Sequence, residues 1–291
     1  MTLLKAVLAI AFLIGGPFLG GLIVGIDRKV SARMQGRVGP PILQPFYDVA
    51  KLLGKERATV STAQDIYIVM YLVFVVISGC LFFAGGNFLL VTLLVTMASL
   101  FLVIAAYNTR SPFAEAGAQR ENLQVMAYEP MVLLTAAGFY LATGTFDVSQ
   151  IGLAQSPAIL KTFLLFIGFL FILTIKLRKS PFDISTSEHA HQELVKGVTT
   201  EFAGRTLARY EIAHWYETVL FLGWTALFII WGSPVGVVVA LVAVVVLYFL
   251  EIWIDNNFAR VKWQVMLRYS WWAAFGLGGA NILYLYIINL L

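Results

Sequence analysis

Residues 88–106 read FLLVTLLVTMASLFLVIAA, a run of nineteen residues without a single charge. A hydrocarbon layer about 30 Å thick takes roughly 20 apolar residues of helix to cross, so this stretch reads as a membrane span. Seven comparable runs lie near 3–26, 66–85, 123–143, 159–177, 214–231, 234–253 and 270–289. The first is too long and too rich in glycine for a secretory signal, and no small-residue cleavage site follows it, so it reads as a true span. Polar residues crowd the start of the 214–231 run. The fold class expected is an all-α integral membrane protein with about eight transmembrane helices, forming one domain over 1–291. Composition agrees: of the 291 residues 60% are hydrophobic and 12% charged, where soluble chains run nearer one quarter charged. Pro17, Pro130 and Pro234 fall within or beside spans, a position that neighbouring helices can accommodate.

The basic residues set the expected sidedness. Eighteen of the 20 Lys and Arg fall in alternate connections, and only Lys5 and Lys161 lie on the other side. Positive residues stay cytoplasmic, which places both termini on the non-cytoplasmic side of the cytoplasmic membrane. The outer connections are short, such as Gly85-Gly86-Asn87. Two cytoplasmic loops, 27–65 and 178–213, are long enough to expect function of them. In the first, Phe46, Val49, Ala50 and Leu53 follow helical spacing between Pro45 and Gly54, predicting a short helix on the membrane surface. Its charges are of mixed sign, with Asp27, Asp48 and Glu56 among Arg28, Arg33 and Arg37. That mixture suits docking of a peripheral protein better than a lipid headgroup alone.

The second loop carries acids. Residues 179–217 read KSPFDISTSEHAHQELVKGVTTEFAGRTLARYEIAHWYE and hold six of the sixteen carboxylates of the chain. Glu211, His214 and Glu217 are three apart, which on a helix makes one polar stripe entering the sixth span. Glu193 and Glu201 precede them; Glu201 and Arg205 have the spacing of a helical surface ion pair. Glu129 sits inside the fourth span, and an acid at membrane depth is a functional candidate by default. The proton-carrying candidates are therefore Glu129, Glu193, Glu201, Glu211, His214 and Glu217. Asp183, Glu188, His189 and His191 join Arg28, Arg33 and Arg37 as candidates for docking a partner. His189 and His191 could ligate a metal, but i and i+2 diverge on a helix and no third ligand is evident. Cys80 stands alone, which leaves no thiolate set for an iron–sulfur cluster. No phosphate-binding loop, dinucleotide fingerprint or nucleophilic triad occurs in a usable setting.

Three stretches carry a resemblance. Residues 25–56, GIDRKVSARMQGRVGPPILQPFYDVAKLLGKE, resemble the first cytoplasmic loop of the quinone-site membrane subunit of respiratory complex I. Residues 180–204, SPFDISTSEHAHQELVKGVTTEFAG, resemble its second signature, and 107–130, ending in Ala-Tyr-Glu-Pro, the entry to its fourth span. Within that superfamily, SEHAHQELVKG is similar to the membrane-anchor subunit of energy-converting NiFe hydrogenases. His214 departs from the pattern, which has a glutamate before the aromatic. The resemblance implies no redox centre or cofactor on this chain. It places a NiFe centre and iron–sulfur clusters in hydrogenase large and small subunits docked on the cytoplasmic face, with antiporter-like subunits in the membrane. Apart from these and the lipid bilayer no partner is expected, and nucleic acid is not one. Three rivals stay open: a quinone-site subunit of complex I, a free-standing transporter, and a passive scaffold whose acids tolerate amide substitution.

Overall fold

A computed structural model describes residues 2–56, 61–179, 181–186 and 193–290. Helix α1 (Thr2–Met34) runs two turns past the predicted end of the first span. It is followed by α2 (Gln44–Leu53), α3 (Thr62–Phe83), α4 (Phe88–Tyr107), α5 (Pro112–Thr143) and the single turn α6 (Val148–Gly152). After α7 (Phe163–Lys176) come α8 (Gly204–Ile229), α9 (Pro234–Asn257), α10 (Trp263–Trp272) and α11 (Gly279–Leu290). A π-helical stretch, Ala273–Gly278, joins the last two into one rod. No strand occurs among the described residues, only isolated bridges.

Seven of these rods are long and apolar enough to cross a membrane. The fifth predicted span, 159–177, is α7, which has only 14 residues. At 1.5 Å per residue it reaches about 21 Å, short of a hydrocarbon layer of about 30 Å. Its far end, Lys176, therefore lies below the membrane surface, and the chain there must find its polar partners inside the protein. The outer surface is apolar along its length. On α9, Val235, Val238, Leu241, Val242, Val245, Val246 and Phe249 are all exposed, a patch that only lipid or another membrane protein can cover.

Helix α8 is the most buried of the long helices and packs against α1, α2, α3, α7 and α9. That explains the polar start of the sixth predicted span: it faces protein, and its polar groups meet partners there. At the far end the core is aromatic. Phe88 packs edge-on against Phe139 at 5.2 Å and lies 5.0 Å from Trp224, while Phe139 and Phe228 are 4.6 Å apart.

The surface helix forms where the proline and glycine place it, but its buried stripe is turned by one residue. Pro45 and Val49 are buried and Leu52 is half-buried, whereas Ala50 and Leu53 are exposed. The reason is its bed on α8: Phe46 meets the Trp215 ring at 5.2 Å, and Val49 packs with Ala208 and Trp215.

The second long loop folds back into the bundle. Asp183 N donates to Val261 O at 3.2 Å and Val261 N to Pro181 O at 2.7 Å, tying the loop to the α9–α10 connection. Val198 N donates to Ser185 O at 3.3 Å, closing the loop on itself. Gly117 of α5 and Gly197 of the loop meet backbone to backbone: a Cβ on Gly117 would stand 2.3 Å from the Gly197 carbonyl carbon. Replacing Gly117 by alanine forces that contact apart, and overpacking of this kind costs about 1–3 kcal/mol. Thermal unfolding of the purified Gly117→Ala protein should show that loss together with faster protease cleavage within 181–203; native stability would mean that the loop is not seated on α5.

Candidate functional site

The shortness of α7 gathers charge at one level of the fold. Lys176 is buried, its ammonium 3.7 Å from Glu217 Oε1 and 3.7 Å from the centre of the Tyr128 ring. Tyr71 of α3 donates to Glu217 Oε2 at 2.9 Å. Glu217 thus has a cation from α7 and a hydroxyl from α3, the pairing a buried carboxylate requires. Glu129 lies on α5; its Oε1 accepts from Thr96 Oγ1 at 2.7 Å, and its Oε2 is buried with no hydrogen-bond partner among the described residues.

Beyond Lys176 the chain turns at Arg178, whose φ of 56° puts a non-glycine residue in the left-handed region, a conformation held only where surroundings impose it. Here they do: the guanidinium donates to Thr186 Oγ1 at 2.6 Å and reaches Glu121 Oε1 at 3.5 Å. Ser185 also bonds Glu121. Next comes Lys179, buried and ion-paired with Asp27 of α1, 3.7 Å from Asp255 of α9. A third basic centre, Arg120 of α5, clamps the loop from the other side. It donates to Asp183 at 2.7 Å and to Glu193 at 2.9 Å. The Arg120 hydrogen bond holds the Glu193 carboxyl below its ordinary range.

These groups border a cavity of about 1220 Å³ between α1, the 177–186 loop, α8 and the end of α9. Glu211 and His214 line it from α8, and Asp27, Arg28, Arg178 and Lys179 from the other walls. The predicted stripe is therefore real as geometry: Glu211 and His214 face the cavity, and Glu217 lies next along the helix, buried. His214 Nδ1 is 4.0 Å from Glu217 Oε2, beyond hydrogen-bond reach but within a small side-chain movement of it.

The remaining candidates separate. Glu201 precedes α8 in the loop, where Gln64 donates to its carbonyl at 3.3 Å; the helical pairing with Arg205 does not form, because Arg205 donates to Leu53 O at 3.4 Å. Among the docking candidates, Arg33 and Arg37 are exposed, and Arg28 pairs with Asp48 at 3.0 Å. Asp183 is not a surface residue: it is buried under Arg120, because the loop folds inward. Glu188, His189 and His191 lie outside the described residues. Among the described residues no three His, Cys, Asp or Glu side chains converge to hold a metal ion.

Sequence reasoning passed over the cations as chemistry. Lys176, Arg178 and Lys179 counted only toward topology, yet the first two pair with the buried acids Glu217 and Glu121, and Lys179 with the half-buried Asp27. Glu251 of α9, 1% exposed, went unremarked. Its spacing of four from Asp255 at the end of an apolar run was the available signal.

The sequence model described as NADH dehydrogenase matches residues 5–286. The chain belongs to that family. Hydrogenase-4 component C of Escherichia coli (strain K12) is 28% identical over 282 residues, covering 86% of this chain and 86% of that one. A subunit of the NADH-quinone oxidoreductase of Anoxybacillus flavithermus is 30% identical over 287 residues, 87% of this chain and 85% of the relative. Among solved structures, a chain of the membrane-bound sulfane sulfur reductase, an archaeal respiratory membrane complex, superposes with a TM-score of 0.85 at 24% identity. The match covers 97% of this chain and 99% of that one, so the two chains share a fold over nearly their whole length.

Two outcomes follow from the charge pairs. Lys176→Met leaves Glu217 buried with no cation and should cost about 3–5 kcal/mol. The double variant Lys176→Met, Glu217→Gln should recover most of it, as a thermal-unfolding double-mutant cycle would read; a single variant as stable as the native protein would show that the pair contributes nothing. At the loop, a carboxyl held low in the folded state stabilises above its unfolded pKa, and that contribution disappears as pH falls through the folded value. The Arg120–Glu193 clasp should thus be intact at neutral pH and open below about pH 4, seen as faster proteolysis within 181–203. An Arg120→Gln protein should be cleaved fast at both pH values.

Proposed function

We propose that this chain is the membrane subunit of an ion-translocating, ferredoxin-linked NiFe hydrogenase complex. It anchors the soluble redox arm and couples proton reduction to ion movement. What supports the reading is the placing of polar groups: Glu211 and His214 line the cavity, Glu217 lies next along α8 beside Lys176, and Glu129 sits in the fourth span. The hydrogenase relative supports the chemistry of the arm, and the HAHQ run between Glu188 and Glu193 points the same way.

In this reading the cytoplasmic face of α2, Arg33 and Arg37 receive hydrogenase large and small subunits, which carry the NiFe centre and the iron–sulfur clusters. Glu193 and Glu201 lie on the loop beneath that arm. A change of charge in the arm shifts the loop, the loop shifts Lys176 and Arg178, and the protons on Glu217 and Glu129 respond in sequence. Antiporter-like subunits pass the ions. This chain holds and moves protons and contributes no redox centre.

The NADH-quinone oxidoreductase relative and the size of the cavity favour a second reading, a quinone-site subunit of an NADH-oxidising complex. One purification separates the two. The chain should bring down partners with about one nickel per complex and evolve hydrogen from reduced ferredoxin. Co-purified quinone and NADH-binding subunits without nickel would assign it to the second. In the nickel-containing complex, Glu129→Gln and Glu201→Gln should evolve hydrogen while losing most of the coupled ion gradient; full hydrogen output with an undiminished gradient would end the proton-path reading.

A further inference from the structure

The series just described leaves one buried acid unused. Glu251 lies on α9, a helix whose other turns are mostly exposed, and its carboxyl is on the inward patch with Ile252. Six residues separate it from the end of α9 at Asn257, about 9 Å of helix rise, so it stands at membrane depth. Oε2 is buried with no hydrogen-bond partner among the described residues, and the neighbouring polar group on α7 is the Thr174 side chain. An ionised carboxylate so placed needs a cation close by, whereas the neutral acid needs only one acceptor or donor.

The cation that reaches the same end of α9 is Lys179. It is ion-paired with Asp27 on α1, 3.7 Å from Asp255 and 5.8 Å from the centre of the Tyr248 ring. The Tyr248 hydroxyl donates to Asp27 Oδ2 at 3.3 Å, and Ser31 donates to Asp27 Oδ1 at 3.4 Å. Asp255 stands one turn of α9 beyond Glu251 and lines the cavity, as Asp27, Lys179 and Tyr248 do. One ammonium is therefore shared among carboxylates of two helices. It sits on a loop tethered by the left-handed Arg178 on one side and by the bridge to Val261 on the other.

We propose that Glu251 is a second proton-binding site of the coupling machinery, loaded and unloaded as the Lys179 ammonium moves between Asp27 of α1 and the two acids of α9. With Lys179 on Asp27, Glu251 keeps its proton. When Lys179 turns toward α9, Glu251 gives that proton to the cavity by way of Asp255, and the ammonium compensates the carboxylate left behind. Charge and protons balance, and no electron is exchanged. The proposal rests on the reading that the 177–186 loop responds to a redox arm.

The test is infrared difference spectroscopy of the intact purified complex, dithionite-reduced against air-oxidised, with ions translocated per turnover measured alongside. The native complex should show a carboxylic-acid C=O band that changes between the two states. Glu251→Gln should lack it and translocate several-fold fewer ions per turnover. Glu251→Asp should regain both in part. In Lys179→Met the difference band should be absent while the carboxylic-acid C=O absorption remains in the separate spectra of both states, because the ammonium that discharges it is gone. A band that persists in Glu251→Gln, or one assigned to Glu251 that ignores redox state in the native complex, would overturn the proposal and leave a structural acid. The spectra are read on whichever reductase the chain assembles with, so a complex without nickel refutes the hydrogenase assignment without touching this one. If Glu251→Gln fails to assemble, Glu251→Asp and Lys179→Met still decide.

Discussion

The ion pair between Lys176 and Glu217 exists because α7 stops short. A full-length helix would carry its terminal lysine to the membrane surface, where water would satisfy it. A 14-residue helix leaves Lys176 beneath that surface, and Arg178 and Lys179 follow it in. Each must then find an acid from a neighbouring helix, since an unpaired charge at that depth costs several kcal/mol. Glu217 comes from α8, Glu121 from α5, Asp27 from α1 and Asp255 from α9. Acids from four helices thus meet the three basic residues at and just past the end of α7.

The same constraint shapes the loop that follows. Its backbone runs inside the bundle's polar level and needs its hydrogen bonds met by protein. Val261 and Ser185 meet some of them, while the Arg120 clasp holds the loop's carboxylates. The described parts of the loop are also seated by apolar side chains: Phe182 and Ile184 are buried in one core cluster, Val198 and Phe202 in another. The aromatic packing of Phe88, Phe139, Trp224 and Phe228 keeps the opposite end fixed.

What could be read in the sequence follows from the solvent each residue meets. The long spans were legible because lipid selects for apolar side chains all round, as on α9. The stripe of Glu211, His214 and Glu217 was legible because a helix repeats its faces every three to four residues. The identity of the buried acids was partly hidden. Asp183 looked like a surface group because it sits in a polar loop, and only the fold shows Arg120 above it. Lys176 and Lys179 looked like topology signals because basic residues ordinarily end spans. Glu251 escaped because an acid near the end of a span reads as a boundary residue, although its spacing of four from Asp255 marked one face of α9. The surface helix was placed correctly and turned wrongly, since apolar periodicity could not choose between a face toward lipid and a face toward Trp215.

Lys176 and Lys179 are three residues apart, and along an unbroken helix they would share a face. They do not, because the chain leaves the helix at Leu177 and reverses at Arg178. Lys176 is directed at α8 and α3, Lys179 at α1 and α9. The left-handed Arg178 is thus the joint between two charge clusters, and its side chain is pinned by Glu121 and Thr186 on a third side. Arg178 stands between the counter-ions of Glu217 and Asp255, and the left-handed turn there is what sends the two lysines to different helices.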